Sequence, residues 1–114
     1  METIEIAKKA AEIVWGKHAA DVVLLDTRQA CSFVDYFVIC SSETERHIDA
    51  IREAIDEWLH VERIAHPRYE GTSGSGWVLL DFGDLIIHIF GPHEREYYQL
   101  DDLWSKAQLV FRMQ

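Results

Sequence analysis

Apolar positions recur along this chain with two different periods, and the points where one period gives way to the other mark out its elements. Ile4, Ala7, Ala11 and Val14 fall at helical spacing with Lys8, Lys9 and Glu12 between them, which predicts an amphipathic helix ending near Gly16. Residues 21–27, DVVLLDT, read as a buried strand. After a polar turn around Arg28–Ser32, residues 35–40, DYFVIC, are aromatic and β-branched and suit a second strand paired antiparallel with the first. Ser42 followed by Glu45 reads as a capping box, and Ile48, Ile51, Ile55, Trp58 and Leu59 supply the stripe of a second helix.

Residues 61–69, VERIAHPRY, form a less regular strand pattern in which Pro67, lacking a backbone donor, points to an edge or a strand end. GTSGSG at 71–76 reads as a flexible loop. WVLLDF at 77–82 and LIIHIF at 85–90 flank Gly83-Asp84, the signature of a tight primed turn. From Pro92 to about Lys106 the helical period returns, with Tyr97, Leu100 and Trp104 in phase. The predicted order is αββαβββα over one domain, residues 1–114, of class α/β in the broad sense (α+β): a mixed sheet of about five strands with flanking helices.

The turn fixes a register for the hairpin. Side chains alternate with period two, so Phe82 faces Leu85, Leu80 faces Ile87 and Val78 faces Ile89 on one side, which is wholly apolar and belongs to the core. The other side sets Asp81 against Ile86, Leu79 against His88 and Trp77 against Phe90. That surface is large and apolar yet carries an acid and an imidazole. A covering helix and a protein partner are both compatible with it, and a Trp anchor ringed by polar groups is the usual make-up of an interface centre.

Charge narrows the partner. The net charge is −9 at pH 7 and the eleven Lys and Arg are scattered, which opposes direct gripping of nucleic-acid phosphates or an anionic membrane and favours a basic protein. Cys31 and Cys40, nine positions apart without CxxC spacing, signal neither zinc nor a redox pair and read as free thiols of a reducing compartment. No run approaches the ~18 apolar residues of a membrane span. The first residues carry acids and no continuous apolar core, so a cytoplasmic, bacterial setting is expected.

An enzyme is the competing reading. Asp81, Asp84, His88 and His93 lie close in sequence, but the turn and the strand end separate them, so no metal site is expected. Gly74-Ser75 upstream of Asp81 and Asp84 faintly echoes nucleotidyltransferases, whose paired carboxylates hold magnesium. Here the two acids straddle a turn. Asp35, Arg46 and His47 are candidates for an anion pocket, with solvated helix residues as the simpler account. The common phosphate and nucleophile motifs are missing, so neither catalytic residues nor a cofactor are expected.

DYFVI at 35–39, RHIDAI at 46–51, Glu70-Gly71, WVLLDFGDLIIHIF at 77–90 and YYQLDDLW at 97–104 together resemble the ribosomal silencing factor (Iojap, RsfS) family over nearly the whole chain. The resemblance implies a nucleotidyltransferase-like fold used without catalysis. It implies a protein that binds the large ribosomal subunit through its ribosomal protein number fourteen, blocks subunit joining and represses translation when nutrients are scarce. A homodimer is the free state it implies, and Trp77, Leu79, Asp81, His88 and Phe90, with Tyr98 and Asp35, are the partner-binding residues. A scaffold for some non-ribosomal complex would use the same face. Residues 41–45, SSETE after Cys40, depart from the Gly- and Thr-rich turn usual in the family, which leaves them without an implied role.

Overall fold

The computed structural model describes residues 1–98 and 106–114, and of Tyr97 and Tyr98 the backbone alone. Its elements are α1 (Thr3–Gly16), β1 (Ala20–Asp26), β2 (Tyr36–Ser41), α2 (Glu45–Glu62), β3 (Arg68–Glu70), β4 (Trp77–Asp81), β5 (Leu85–Phe90), α3 (Pro92–Tyr98) and β6 (Gln108–Met113), with a 3₁₀ turn at Ser73–Ser75 before β4. The strands form one six-stranded sheet in the order β3-β4-β5-β2-β1-β6. β2 and β5 run parallel, and the other neighbours are antiparallel. The class is therefore the mixed α+β arrangement expected, with a sixth strand added.

α1 and α2 cover one face of the sheet. Small residues on α1, Ala7, Ala10 and Ala11, let the helix lie close against Val22, Leu24 and Val38, while Ile51, Ile55 and Leu59 of α2 close over Leu80, Ile87 and Ile89. A second cluster, Val23, Leu25, Phe37, Ile39 and Phe90 with Val34 of the β1–β2 connection, fills part of the opposite face. This is why DVVLLD reads as an unbroken apolar run: β1 is buried on both sides. Cys40 is fully buried, and burial pushes its thiol up to about 12, so it packs as a small hydrophobe.

Three expectations need correction. The cap of α2 is Thr44, whose Oγ1 accepts from the His47 amide at 3.0 Å, and not Ser42. The Ser42 amide is already committed to the Phe90 carbonyl at 2.8 Å as the β2–β5 ladder ends, so the chain turns into helix two residues later. Ser42 Oγ instead meets His47 Nδ1, and His47 Nε2 donates to the Lys17 carbonyl at 2.5 Å, which ties the start of α2 to the end of α1. With both ring nitrogens committed, His47 does not complete an anion pocket with Asp35 and Arg46.

The second correction is to residues 61–69. α2 runs on to Glu62 and stops where Arg63 turns left-handed at φ +58°, with the Ile64 amide closing back on the Leu59 carbonyl at 2.9 Å. Only Arg68–Glu70 is strand, and Pro67 stands just before this edge strand. The third is β6, paired with β1, where no strand was predicted. The continuation of the predicted last helix through Leu100 and Trp104 falls on residues 99–105, outside the described ones.

The ends of α3, β1 and β6 meet at Asp21. Arg95 donates to its carbonyl at 3.0 Å and its carboxylate at 3.2 Å, and Arg112 forms a fork on the same carboxylate at 2.8 and 3.2 Å. The hydrogen bond from Arg112 and the charge of Arg95 hold this carboxyl below the usual carboxylate range. Asp21 sits at φ +47°, next to an irregularity in the β1–β2 register, so the acid reaches both arginines from a bent strand start.

Candidate functional site

The β4–β5 hairpin has the register that its turn dictates: Trp77 opposes Phe90, Val78 opposes Ile89, Leu79 opposes His88, Leu80 opposes Ile87 and Asp81 opposes Ile86. Gly83 takes φ +90°, the left-handed conformation that a two-residue hairpin connection needs at its first position, and the Phe82 amide donates to the Leu85 carbonyl at 2.8 Å. The Gly83 amide donates to Asp81 Oδ1 at 2.8 Å, fastening the turn to the strand that enters it.

Across the face opposite the helices, the strand registers line up in rows. One row runs Glu70, Leu79, His88, Ile39, and the next runs Arg68, Asp81, Ile86, Phe37. Burial falls along each row from β2 towards the β3 edge. Ile39 and His88 are buried, Leu79 is half-buried and Glu70 is exposed. In the other row Phe37 is buried, Ile86 and Asp81 are half-buried and Arg68 is exposed. The choice between a covered and an open face therefore divides across the sheet: β2 and the His88–Phe90 end of β5 are closed, and the β3–β4 side is open.

His88 and Phe90 lie on the closed side, 3% and 0% exposed, so they back a contact surface and do not form its outer layer. With Phe37 and Trp77 they build a ring cluster: Trp77 and Phe90 have centroids 5.0 Å apart, and Phe37 meets His88 edge-on at 4.7 Å. The Trp77 indole N–H donates inward to His88 Nδ1 at 3.1 Å, which places the imidazole proton of the neutral ring on Nε2. Burial drives His88 down to about 3, so the ring is neutral at physiological pH. Trp77 is thereby held at a fixed tilt, half-buried, beside Leu79.

Trp77 and Leu79, with Glu70, Gly71 and Ser75, border a recess of about 370 Å³. At the turn end of the same strand a groove of about 650 Å³ lies between Phe33, Val34, Phe82 and Ile86 on its apolar walls and His66, Arg68 and Asp81 at its polar side. Phe33 is 77% exposed, an unusual position for a large aromatic. Asp81 Oδ2 accepts from Arg68 at 2.9 Å, and this bond, with that from the Gly83 amide, holds the carboxyl below the usual range. A cation for Asp81 is thus supplied within the chain. Sequence reasoning missed Phe33, Glu70 and Arg68. The paired strand β3 brings the last two to the face, and the signal available was the Arg68-x-Glu70 alternation.

The remaining candidates separate. Asp35 lies beyond the turn end, with its amide on the Asp84 carbonyl at 2.8 Å and its side chain in a hollow with Thr3, Arg28 and Tyr36, away from Trp77. The side chain of Tyr98 lies outside the described residues. Among the described residues no three His, Cys, Asp or Glu side chains converge as metal ligands. Asp84 accepts from Thr3 Oγ1 at 3.4 Å, and His93 is exposed on α3. No described helix is long and apolar enough to cross a membrane.

A family model described as ribosomal silencing factor during starvation matches residues 1–114. A Bacillus subtilis protein named ribosomal silencing factor RsfS is 35% identical over 110 residues, covering 96% of this chain and 93% of that one. Its namesake from Halalkalibacterium halodurans is 34% identical over 110 residues, covering 96% and 94%. A crystal structure of a Chromobacterium violaceum protein superposes with a TM-score of 0.85 at 27% identity, covering 97% of this chain and 94% of that one.

Proposed function

Because the chain belongs to the ribosomal silencing factor family, we propose that it binds the large ribosomal subunit through ribosomal protein number fourteen, stands where the small subunit would dock, and so represses translation under nutrient limitation. The observation that carries the reading is the open strip on β4. Trp77, Leu79 and Asp81 share one face, half-buried, with Trp77 stiffened from behind by His88 and Phe90. A rigid aromatic with its cost of ordering already met is an efficient anchor. The net charge of −9 favours encounter with a basic ribosomal protein. On this reading the whole chain, residues 1–114, is one binding domain that works in the cytoplasm, neither an enzyme nor a direct reader of nucleic acid.

Replacing Trp77 by Ala is expected to cost about 2–4 kcal/mol in binding to large subunits, measured by co-sedimentation with the variant shown to be folded. Retention of parental binding by a folded Trp77→Ala would remove the hairpin from the interface. A homodimer is the proposed free state, on the family resemblance, and sedimentation equilibrium would detect it. The enzymatic reading has no comparable support: the two carboxylates it needs, Asp81 and Asp84, are held apart by the turn, Asp81 on the Gly83 amide and Asp84 on Thr3 Oγ1.

A further inference from the structure

Asp81 is the one acid on the open strip of β4, and both of its oxygens are taken: Oδ1 by the Gly83 amide and Oδ2 by Arg68. The two bonds differ in kind. The first is built into the turn, whereas Arg68 reaches in from the sheet edge with its side chain 81% exposed, against 19% for Asp81. An arginine so open to water is bound weakly and exchanges readily. Beside the pair lies the 650 Å³ groove, with Asp81 on its polar side and Phe33, Val34, Phe82 and Ile86 as walls. Such walls suit the aliphatic stem of a long basic side chain whose head ends at a carboxylate.

We infer that this groove is the seat for a lysine or arginine of the protein partner, whose stem lies against Phe33 and Ile86 and whose cation takes the place of Arg68 on Asp81. Arg68 is then an internal stand-in that must be displaced when the partner docks. The inference rests on the proposed binding of a basic ribosomal protein and adds to it a contact away from the Trp77 end. Charge complementarity supports this occupant: the chain carries −9 overall, and removing Arg68 leaves the groove with His66 as its remaining basic group. The alternative occupant, an apolar side chain alone, would leave the Arg68–Asp81 pair intact.

The two occupants predict different outcomes for one variant. Arg68→Gln removes the competitor and is expected to tighten binding of purified large subunits about threefold to tenfold beyond Arg46→Gln, an exposed control with the same change in charge. Asp81→Asn is expected to weaken binding and to abolish the gain from Arg68→Gln, and Phe33→Ala to weaken it about tenfold. Unchanged or weaker binding by Arg68→Gln relative to the control would overturn the inference.

A second measurement separates its failure from that of the proposed function. Tri-arginine peptide is titrated into the free protein while the Gly83 amide, bonded to Asp81, is followed by nuclear magnetic resonance. A saturable shift of Gly83, reached at lower peptide concentration in Arg68→Gln and lost in Asp81→Asn, supports the seat even if large subunits fail to bind. A Gly83 resonance that stays still, beside subunits that bind normally, rejects the seat and leaves the proposed function standing.

Discussion

The two faces of the β4–β5 hairpin are built from similar residues and end in different states. On the face towards α1 and α2, Val78, Leu80, Ile87 and Ile89 are all within 2% of full burial. On the other, Phe90 and the imidazole of His88 are buried while apolar Leu79 stays half-open. Burial on the second face follows position across the sheet and not residue type. Along one and the same row a side chain is closed over towards β2 and opens towards β3. An apolar face that shuts gradually towards one edge offers a firm floor and an accessible rim together, which is what a partner-binding sheet needs.

The largest effect that tests this contrast comes from paired truncations on one strand. Leu80→Ala removes a fully buried side chain and is expected to cost about 2–5 kcal/mol of stability. Leu79→Ala, its neighbour on the open face, is expected to cost less than about 1 kcal/mol while weakening binding to large subunits. Chemical denaturation beside co-sedimentation reads both quantities. Equal destabilisation by the two variants would mean that both faces are core and that the open strip has been misassigned.

A somewhat smaller effect concerns the closed part of the second face. His88 is held at about 3 by burial, against an ordinary value of 6.5, so the unfolded chain takes up a proton that the folded ring refuses. Its contribution is fully present above pH 6.5 and is lost as pH falls from there towards 3. The slope is about 1.4 kcal/mol per pH unit, which makes roughly 2–3 kcal/mol by pH 4.5. The lowered carboxyls of Asp21, Asp26 and Asp81 lose stability in the same direction, but only once pH drops below their ordinary 3.8. The window between pH 6.5 and 4.5 therefore separates the histidine from these carboxyls. His88→Phe, which keeps a ring between Phe37 and Phe90, is expected to flatten the stability profile there, and a slope unchanged by the substitution would place the buried titration elsewhere.

The parts of this architecture that could be read from the chain are those set by local chemistry. Gly83-Asp84 and a period of two fixed the hairpin register residue by residue, and the stripe from Ile48 to Leu59 marked the buried side of α2. What escaped needed distant partners. β6 alternates at Leu109, Phe111 and Met113 but is short, and only pairing with β1 makes it a strand. α2 overran its predicted end because Arg63 adopts a left-handed cap without glycine, a backbone choice with no strong sequence mark. The site was legible as a face and not as a gradient: the hairpin named Trp77, Leu79, Asp81, His88 and Phe90 together, but which of them are open depends on what lies beside β4 and β5. Arg68 reaches Asp81 across 13 positions and Arg112 reaches Asp21 across 91, distances over which sequence pattern carries no pairing information.

Asp21 gives the next test, because its arginines brace the end of the sheet far from the β3 edge. Asp21→Asn keeps a residue that tolerates positive φ while removing the charge between Arg95 and Arg112. With the carboxylate about a third exposed, the expected cost is about 1–2 kcal/mol. Binding to large subunits should be unaffected, since the brace lies outside the open strip. A folded Asp21→Asn that loses binding would extend the contact surface to the α3 end.

The smallest effect lies in the turn and bears on how the two faces are told apart at all. A hairpin apolar on both sides gives the hydrophobic pattern little power to choose between registers one residue apart, because a slip would exchange one oily face for another. The turn must supply that choice. Gly83 at φ +90° and the Asp81 carboxylate on its amide are the local features that do so. A Cβ at Gly83 would meet nothing within 4 Å, so Gly83→Ala adds backbone strain without a clash and should cost roughly 1 kcal/mol. Asp81→Ala combined with Gly83→Ala removes both local features. If the turn sets the register, the double variant should lose more stability than the two single costs sum to, and the indole N–H resonance of Trp77 should lose the protection that its bond to His88 confers. Simple additivity with Trp77 still protected would mean that the ring cluster, and not the turn, holds the faces in place.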